Sequence, residues 1–218
     1  MLFRSALRGY SKLYPSQDPR LPITLPILER LITACNDVFS GCYQRKLIKA
    51  MYALAFFAAL RVGEITGGPG QQAKNVISID QFFFLRNELN NIVAVKLVLK
   101  YYKHSDPTKP VELLMYREHP ICPVSLMLDF VTLRGSAPGP LFCWADGAVI
   151  SRSYFTRSLK EVLQYCNLDE DRYKTHSFRI GAASWAAAKG MSDSQIRVFV
   201  RWNSNAFLRY IRLPTLGT

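Results

Sequence analysis

A single block of β-type sequence, with helical sequence on both sides, restricts the fold class of this chain more than any other feature. Residues 76–85, 92–101 and 111–116 are rich in β-branched and aromatic side chains. Residues 87–91 and 104–110 supply turn-forming residues between them. Because short turns join neighbouring strands in antiparallel pairs, the sequence predicts a small three-stranded antiparallel sheet in a mainly helical α+β chain.

Helical sequence accounts for most of the remaining residues. Thr24 is a plausible N-cap for a helix through Ile32. A second helix is predicted from about Tyr43 to Leu60, and its last half is apolar nearly all round, which indicates burial. Two further helices are predicted, one after Pro123 and one from Ser153 to Cys166. Another is expected to begin at a Thr175 N-cap and to end at Lys189, before Gly190. The last two are predicted after a Ser192–Gln195 capping box and after Ser204.

The charge of the chain narrows its possible partners. The 218 residues include 28 Lys and Arg against 16 Asp and Glu, a net charge of +12. Such a charge favours a polyanionic partner, with nucleic acid the first candidate and an acidic membrane surface the second. The alternative is a solvated basic surface without a partner. Residues 172–212 hold eight basic side chains and one acidic side chain, so the basic charge is concentrated there.

Cysteine usage and apolar segments exclude several classes of protein. The five cysteines are scattered and form no CxxC pair, which predicts neither a zinc site nor a disulfide framework and favours a reducing compartment. The longest apolar stretch, residues 50–60, is too short to span a bilayer, and no signal-peptide run follows Met1. We therefore expect a protein that is neither secreted nor membrane-bound and that needs no cofactor or metal.

Two pairs of polar residues repeat one spacing. His176 and Arg179 are three residues apart at a helix start, where free N–H groups favour an anion, although such a pair is also common as a surface cap. Arg61 and Glu64 have the same spacing after the strongly apolar helix. They are either a buried ion pair of the core or an arginine held for bidentate phosphate binding.

Tyr210 is a candidate nucleophile among eleven tyrosines. A phenol, with a pKa of about 10, is a poor nucleophile unless nearby cations stabilise its phenolate. Arg179, Arg201 and Arg209 could supply those cations, and Trp202 could donate a hydrogen bond through its indole N–H. The alternative is that Trp202 and Tyr210 simply pack in the core.

In this order and spacing, these motifs resemble the catalytic domain of tyrosine recombinases, the phage integrase family. The resemblance rests on Ala-Leu-Arg61-x-x-Glu64, His176-x-x-Arg179, Trp202 and Tyr210, and it extends from about Leu21 to Arg212. Longer stretches, His176-Ser-Phe-Arg-Ile-Gly-Ala-Ala-Ser184 and Arg201-Trp-x-Ser204 through Tyr210-Ile-Arg212, are similar to recombinases of eukaryotic DIRS-type retroelements in particular. The implied fold is the DNA breaking-rejoining catalytic fold.

The resemblance implies a role for each matched residue. Arg61 and Arg179 would bind the non-bridging oxygens of a scissile phosphate, supported by Glu64. Trp202 would donate a hydrogen bond to a phosphate oxygen. His176 would accept or donate a proton. Tyr210 would attack phosphorus to give a 3′-phosphotyrosyl link.

The family also uses a lysine in a β-hairpin turn as a general acid, and Lys103 fits this role best. Lys100 and Lys109 are the alternatives. The basic residues expected to contact DNA are Lys174, Arg201, Arg209 and Arg212. The implied partners are double-stranded DNA and further copies of the chain, four of them in a recombining complex, with no small-molecule substrate. The implied location is the nucleus in a eukaryote and the cytoplasm otherwise.

Three features depart from the family pattern. Only eight residues follow Tyr210, which is expected to leave little for the C-terminal exchange between protomers that many relatives make. Residues 1–22 are basic and proline-punctuated, which predicts an arm or linker remnant before a catalytic domain at 23–218, and we expect the family's N-terminal core-binding domain to be absent. Val200 stands where related sequences have glycine, and its β-branched side chain is expected to strain the turn before Trp202. Two other functions stay open: a DNA-binding remnant without catalysis, and a relaxing enzyme like type IB topoisomerases.

Overall fold

The computed structural model describes residues 19–68, 76–102, 106, 108–118, 120–202 and 211. Seven helices and three strands lie in these residues, and the predicted mainly helical α+β class is confirmed. In chain order the elements are α1 (Leu25–Val38), α2 (Cys42–Phe57), α3 (Val62–Ile65), β1 (Phe82–Arg86), β2 (Ile92–Leu99), β3 (Val111–Tyr116), α4 (Pro123–Arg134), α5 (Arg152–Tyr165), α6 (Ser177–Ala188) and α7 (Asp193–Val200). None of the described helices is long and apolar enough to cross a membrane.

The sheet has the predicted antiparallel order, with β2 between β1 and β3. Its first strand is shorter than predicted, because residues 79–81 form a 3₁₀ turn. Gln81 causes this difference: its side-chain oxygen accepts from the Ser78 N–H at 3.0 Å and its amide donates to the Val98 carbonyl at 2.8 Å. These side-chain bonds give the backbone an alternative to strand pairing, so pairing begins at Phe82.

Helix α2 is the centre of the core, and every residue from Ala50 to Phe57 is buried. It ends three residues before the predicted Leu60. Ala59 adopts a left-handed backbone with φ of 45°, and the Leu60 N–H donates back to the Ala55 carbonyl at 3.1 Å. This is the helix-ending arrangement usually built on glycine. The turn leaves the Ala58 and Ala59 carbonyl groups available to accept hydrogen bonds from side chains elsewhere in the protein.

The segment before α1 packs directly across the start of α6. The Leu21 N–H donates to the Arg172 carbonyl at 2.8 Å, and the Ile23 N–H donates to the Ser177 carbonyl at 3.0 Å. Gly181 permits this crossing, because a Cβ there would lie 1.8 Å from the Ile23 carbonyl oxygen. The packed body of the domain therefore includes Leu21, which the sequence assigned to the arm.

The last two described helices mostly follow the sequence signals. The Ser192–Gln195 capping box is confirmed, and Gly190 has the expected positive φ of 81°. The N-cap of α6 is His176 rather than Thr175. The prediction for Val200 was wrong: it is the last helical residue of α7 and is fully buried, and the left-handed residue is Arg201. The helix predicted after Ser204 lies outside the described residues.

Candidate functional site

A cleft of about 560 Å³ lies where α3 and α6 begin, beside the residues that follow β2. Its lining contains four of the residues proposed from the sequence. These are Arg61, Glu64, His176 and Arg179, and two further arginines, Arg20 and Arg152, join them. Elements more than a hundred residues apart in the chain therefore bring basic side chains to one concave surface.

Arg61 and Glu64 form the expected ion pair at the start of α3. Glu64 accepts from the Arg61 backbone N–H at 2.8 Å and from Arg61 Nη1 at 3.1 Å. The Glu64 side chain is only 5% exposed, whereas that of Arg61 is 25% exposed. The pair thus combines the two arrangements considered from the sequence, a buried ion pair and an arginine held for phosphate binding. The Glu64 carboxylate lies in the interior, and the Arg61 guanidinium reaches the cleft.

Arg201 does not lie where the sequence analysis expected it. It was assigned to the DNA-contacting surface, but its side chain is 2% exposed. Its guanidinium donates to Glu64 Oε2 at 3.0 Å, to the Ala59 carbonyl at 3.0 Å and to the Ala58 carbonyl at 3.1 Å. Arg201 is therefore an interior residue that joins the end of α2 and the buried acid of α3 to the end of α7.

The backbone of Arg201 is left-handed, with φ of 53° and ψ of 51°. For a residue with a Cβ this conformation costs about 1–2 kcal/mol. The hydrogen bonds of its guanidinium offset that cost, because bonds to charged groups each contribute about 1.5–3 kcal/mol. Burial lowers the pKa of the Arg201 guanidinium and Glu64 opposes this, so the acid keeps the buried cation charged.

Arg179 completes an arginine cluster with Arg61 and Arg201. Its side chain is buried and donates to the carbonyls of Ala59 and Val200. The Ala59 carbonyl thus accepts from both Arg179 and Arg201. Glu64 pairs with two of these three guanidinium groups, so the cluster holds more positive than negative charge, and such an excess in a partly desolvated place favours a bound anion.

Aromatic and imidazole rings lie beside this cluster. The left-handed turn at Arg201 brings Trp202 toward α6, where Arg179 Cζ lies 5.2 Å from the centre of the Trp202 rings. The His176 and Trp202 ring centres are 6.4 Å apart. Trp202 is thus a neighbour of His176 and Arg179, two residues that line the cleft.

Four proposed residues lie outside the described part of the chain: Lys103, Arg209, Tyr210 and Arg212. Their described neighbours lie at the site. Tyr102 lines the cleft, with Arg201 Cζ 5.9 Å from its ring centre. Ile211 packs against a small core cluster that includes Ala59 and Val200.

The remaining proposed residues are further from the cluster. Lys100 and Lys109 are exposed, and neither lines the cleft. Lys174 is about half exposed, pairs with Asp171 at 3.0 Å and lines a second, smaller cleft. Among the described residues, no three His, Cys, Asp or Glu side chains are grouped as the ligands of a metal ion would be.

Sequence reasoning missed Arg20 and Arg152. Arg20 was assigned to the proline-punctuated arm, and it reaches the cleft because Leu21 pairs with Arg172. Arg152 is the first residue of α5, and its backbone N–H donates to the Gly67 carbonyl at 2.9 Å. Both placements depend on pairing between distant segments, and neither residue lies in a motif that could have revealed it.

The chain has the catalytic fold of tyrosine recombinases, because solved structures of such enzymes match it over most of its length. XerH site-specific recombinase bound to its difH substrate, in a pre-cleavage complex, matches 88% of the chain with a TM-score of 0.64 and 16% identity. XerA recombinase matches 88% with a TM-score of 0.62 and 15% identity. A lambda integrase dimer bound to a COC′ core site matches 89% with a TM-score of 0.58 and 14% identity.

At such identities the likeness establishes the fold alone. The match covers 50% of the XerH chain, 60% of the XerA chain and 49% of the lambda integrase chain. The chain thus spans about half of the length of these recombinases. No protein-family model and no curated protein matches the sequence.

Proposed function

We propose that this chain breaks and rejoins DNA strands by the chemistry of tyrosine recombinases, through a 3′-phosphotyrosyl intermediate on Tyr210. The observation that carries the proposal is the arginine cluster at a concave surface: Arg61 and Arg201 pair with buried Glu64, and Arg179 shares the Ala59 carbonyl with Arg201. Phosphoryl transfer depends mainly on positioning and on neutralising charge at the equatorial oxygens. An excess of fixed positive charge beside an open cleft suits that requirement.

Some of the described residues bind the DNA phosphate, and others hold those residues in position. Arg61, whose guanidinium is partly exposed, and Arg179 bind the non-bridging oxygens of the scissile phosphate. The Trp202 indole N–H donates to one of these oxygens. Glu64 and Arg201 touch no DNA. They hold Arg61, whose Nη2 also donates to the Arg201 carbonyl at 3.2 Å.

The chemical step conserves the phosphodiester energy. The Tyr210 oxygen forms a bond to phosphorus as the bond from phosphorus to the 5′-oxygen breaks. Lys103 donates the proton that the leaving 5′-oxygen takes up, and His176 exchanges a proton with the tyrosine. Rejoining runs the same steps in reverse, so no external energy source is needed. Tyr101 and Tyr102 line the cleft, whereas Lys100 and Lys109 do not, which favours Lys103 for this role.

The proposed partner is double-stranded DNA, held by the cleft arginines together with Lys174, Arg209 and Arg212. We propose further that copies of the chain assemble on DNA as a tetramer. One of the matching structures is a lambda integrase tetramer bound to a Holliday junction. A recombinase of a DIRS-type retroelement, acting in a eukaryotic nucleus, is the source that the sequence motifs favour.

One observation favours a second candidate, a DNA-binding protein without catalysis. The Arg179 side chain is 1% exposed, and two of its nitrogens donate to backbone carbonyls. If that burial persists when DNA binds, the Arg179 guanidinium does not reach a phosphate oxygen. The alternative predicts salt-dependent duplex binding with no covalent product.

The test is the covalent adduct. Wild-type protein is incubated with a pool of nicked suicide duplexes of randomised sequence, and adducts that survive denaturing electrophoresis are measured. We expect Tyr210→Phe to abolish the adduct. The matched control is Tyr165→Phe, which changes an exposed tyrosine whose hydroxyl donates to Asp37 at 3.1 Å, and it should leave the adduct unchanged.

Each other outcome has a distinct meaning. An adduct that persists in Tyr210→Phe rules out Tyr210 as the nucleophile. Duplex binding by the wild type without any adduct supports the non-catalytic alternative. Relaxation of supercoiled DNA without recombination of specific sites supports a topoisomerase-like enzyme.

A further inference from the structure

A second, smaller cleft lies directly beside the first. It measures about 300 Å³ and runs along α5 and the segment that leads into α6. Arg152 and Thr175 line both clefts, so the two meet at these side chains. A ligand longer than one phosphate group could therefore continue from the first cleft into the second.

The charges of the second cleft are paired, with one exception. Lys160 lies 2.7 Å from Glu170, and Lys174 lies 3.0 Å from Asp171. Arg152 is exposed, and within the described part of the chain its side chain has neither an ion pair nor a hydrogen bond. The boundary between the clefts thus carries an arginine whose five donors are available to a ligand.

The position of Arg152 is fixed relative to Arg61 through the backbone. The Arg152 N–H donates to the Gly67 carbonyl at 2.9 Å, and the Gly67 N–H donates to the Ile150 carbonyl at 2.8 Å. A Cβ on residue 67 would lie 2.7 Å from Val149 Cγ1, so a larger residue there would force the Val149 side chain to shift. Since Gly67 follows α3 by two residues, the segment that begins with Arg61 also holds the backbone of Arg152.

We propose that Arg152 binds a second phosphate of the DNA strand whose scissile phosphate lies at Arg61, so that this strand runs from the first cleft into the second. The inference rests on the proposed function, which places DNA in the first cleft. A nucleic-acid strand presents phosphates at regular spacing, and a guanidinium binds a phosphate through two parallel hydrogen bonds. A concave cleft admits such a strand, whereas a flat membrane surface cannot enter it.

Salt-dependent binding of a short fluorescent DNA duplex tests the proposal. Each phosphate neutralised adds about 0.9 to the slope of log affinity against log salt concentration. Arg152→Gln should therefore reduce this slope by about 0.9. Its affinity deficit relative to wild type should shrink about 3.5-fold as salt rises from about 50 to about 200 mM.

Arg157→Gln is the matched control. Arg157 lies on the same helix, is exposed and lines neither cleft, so this variant makes the same charge change outside the proposed path. It should keep the wild-type slope. If wild type binds the duplex and Arg152→Gln keeps its slope, or if both variants lower the slope equally, the second phosphate site is overturned.

Two further outcomes also decide the matter. A wild-type protein that binds no duplex overturns the proposed function and, with it, this inference. If Arg152→Gln instead loses binding to vesicles of acidic lipid and not to the duplex, the second cleft serves a lipid headgroup and the proposal is overturned.

Discussion

Ala59 and Arg201, the two left-handed residues at the site, meet through a hydrogen bond. The Ala59 turn presents its carbonyl to the interior, and the Arg201 guanidinium donates to it at 3.0 Å. The left-handed backbone costs conformational free energy at both residues, and the hydrogen bond between them helps to hold both in place. Strain of this kind persists only where the surrounding structure determines it, and it is often found at functional sites.

Replacing Arg201 should destabilise the fold far more than replacing an arginine at the surface. Arg201→Met removes the charge that pairs with buried Glu64 and leaves the Ala58 carbonyl without its donor. Breaking a buried pair in this way costs about 3–5 kcal/mol. Urea denaturation measures the loss. The control is Arg197→Met, one turn earlier on α7, which should stay within about 0.5 kcal/mol of wild type.

Arg201→Gly separates the contribution of the Arg201 backbone to the free energy of unfolding from that of its side chain. Glycine adopts the left-handed conformation without the cost of about 1–2 kcal/mol that a Cβ imposes. Arg201→Gly should therefore be more stable than Arg201→Met by about that amount. If Arg201→Met unfolds at the same urea concentration as wild type, the hydrogen bonds and ion pair of Arg201 do not stabilise the fold and the predicted interior role is wrong.

At the scale of elements, the crossing of the 21–23 segment over α6 determines where the cleft lies. Ile23 is fully buried and its N–H pairs with the Ser177 carbonyl, so Arg20 is held near the start of α6. The same helix start carries His176 and Arg179. Gly181 is what allows this close approach.

Gly181→Ala should therefore be destabilising, although alanine is favoured over glycine inside a helix by about 1 kcal/mol. The new methyl group would meet a backbone carbonyl oxygen at 1.8 Å, so the 21–23 segment must move away from α6. We expect a loss of about 3 kcal/mol, the upper end for overpacking. Thermal unfolding measures it.

Gly190→Ala is the control for this prediction. Gly190 has a positive φ of 81°, and a Cβ added to it would have no neighbouring atom within 4 Å. The cost of this substitution is therefore the left-handed backbone contribution of about 1–2 kcal/mol alone. A stabilised Gly181→Ala would mean that the segment does not cross α6 at this point.

At the scale of the whole molecule, signals from neighbouring residues predicted the helices and strands, whereas pairing between distant segments determined which side chains lie at the site. Three features depend on residues close together in the chain and were predictable: the three-stranded sheet, the Ser192–Gln195 capping box and the Arg61–Glu64 ion pair. Burial of Arg201 was not, because its carbonyl acceptors exist only once Ala59 turns left-handed. Arg152 was missed for a similar reason, since its place depends on pairing with Gly67, 85 residues earlier.

The net charge of +12 allows a test of whether the whole molecule recognises DNA or only negative charge. A ligand at 100 times its dissociation constant, bound only to the folded state, stabilises that state by about 2.7 kcal/mol. For a domain of this size that corresponds to a rise of roughly 5–10 °C in melting temperature. A short DNA duplex should produce this rise, and polyglutamate of equal total charge and concentration should produce much less. The proposed phosphate sites at Arg61 and Arg152 would recognise phosphates at fixed spacing, whereas net charge alone does not distinguish the two polyanions. Equal shifts in differential scanning fluorimetry would show that the basic surface attracts any polyanion and that the arginine cluster is not a DNA site.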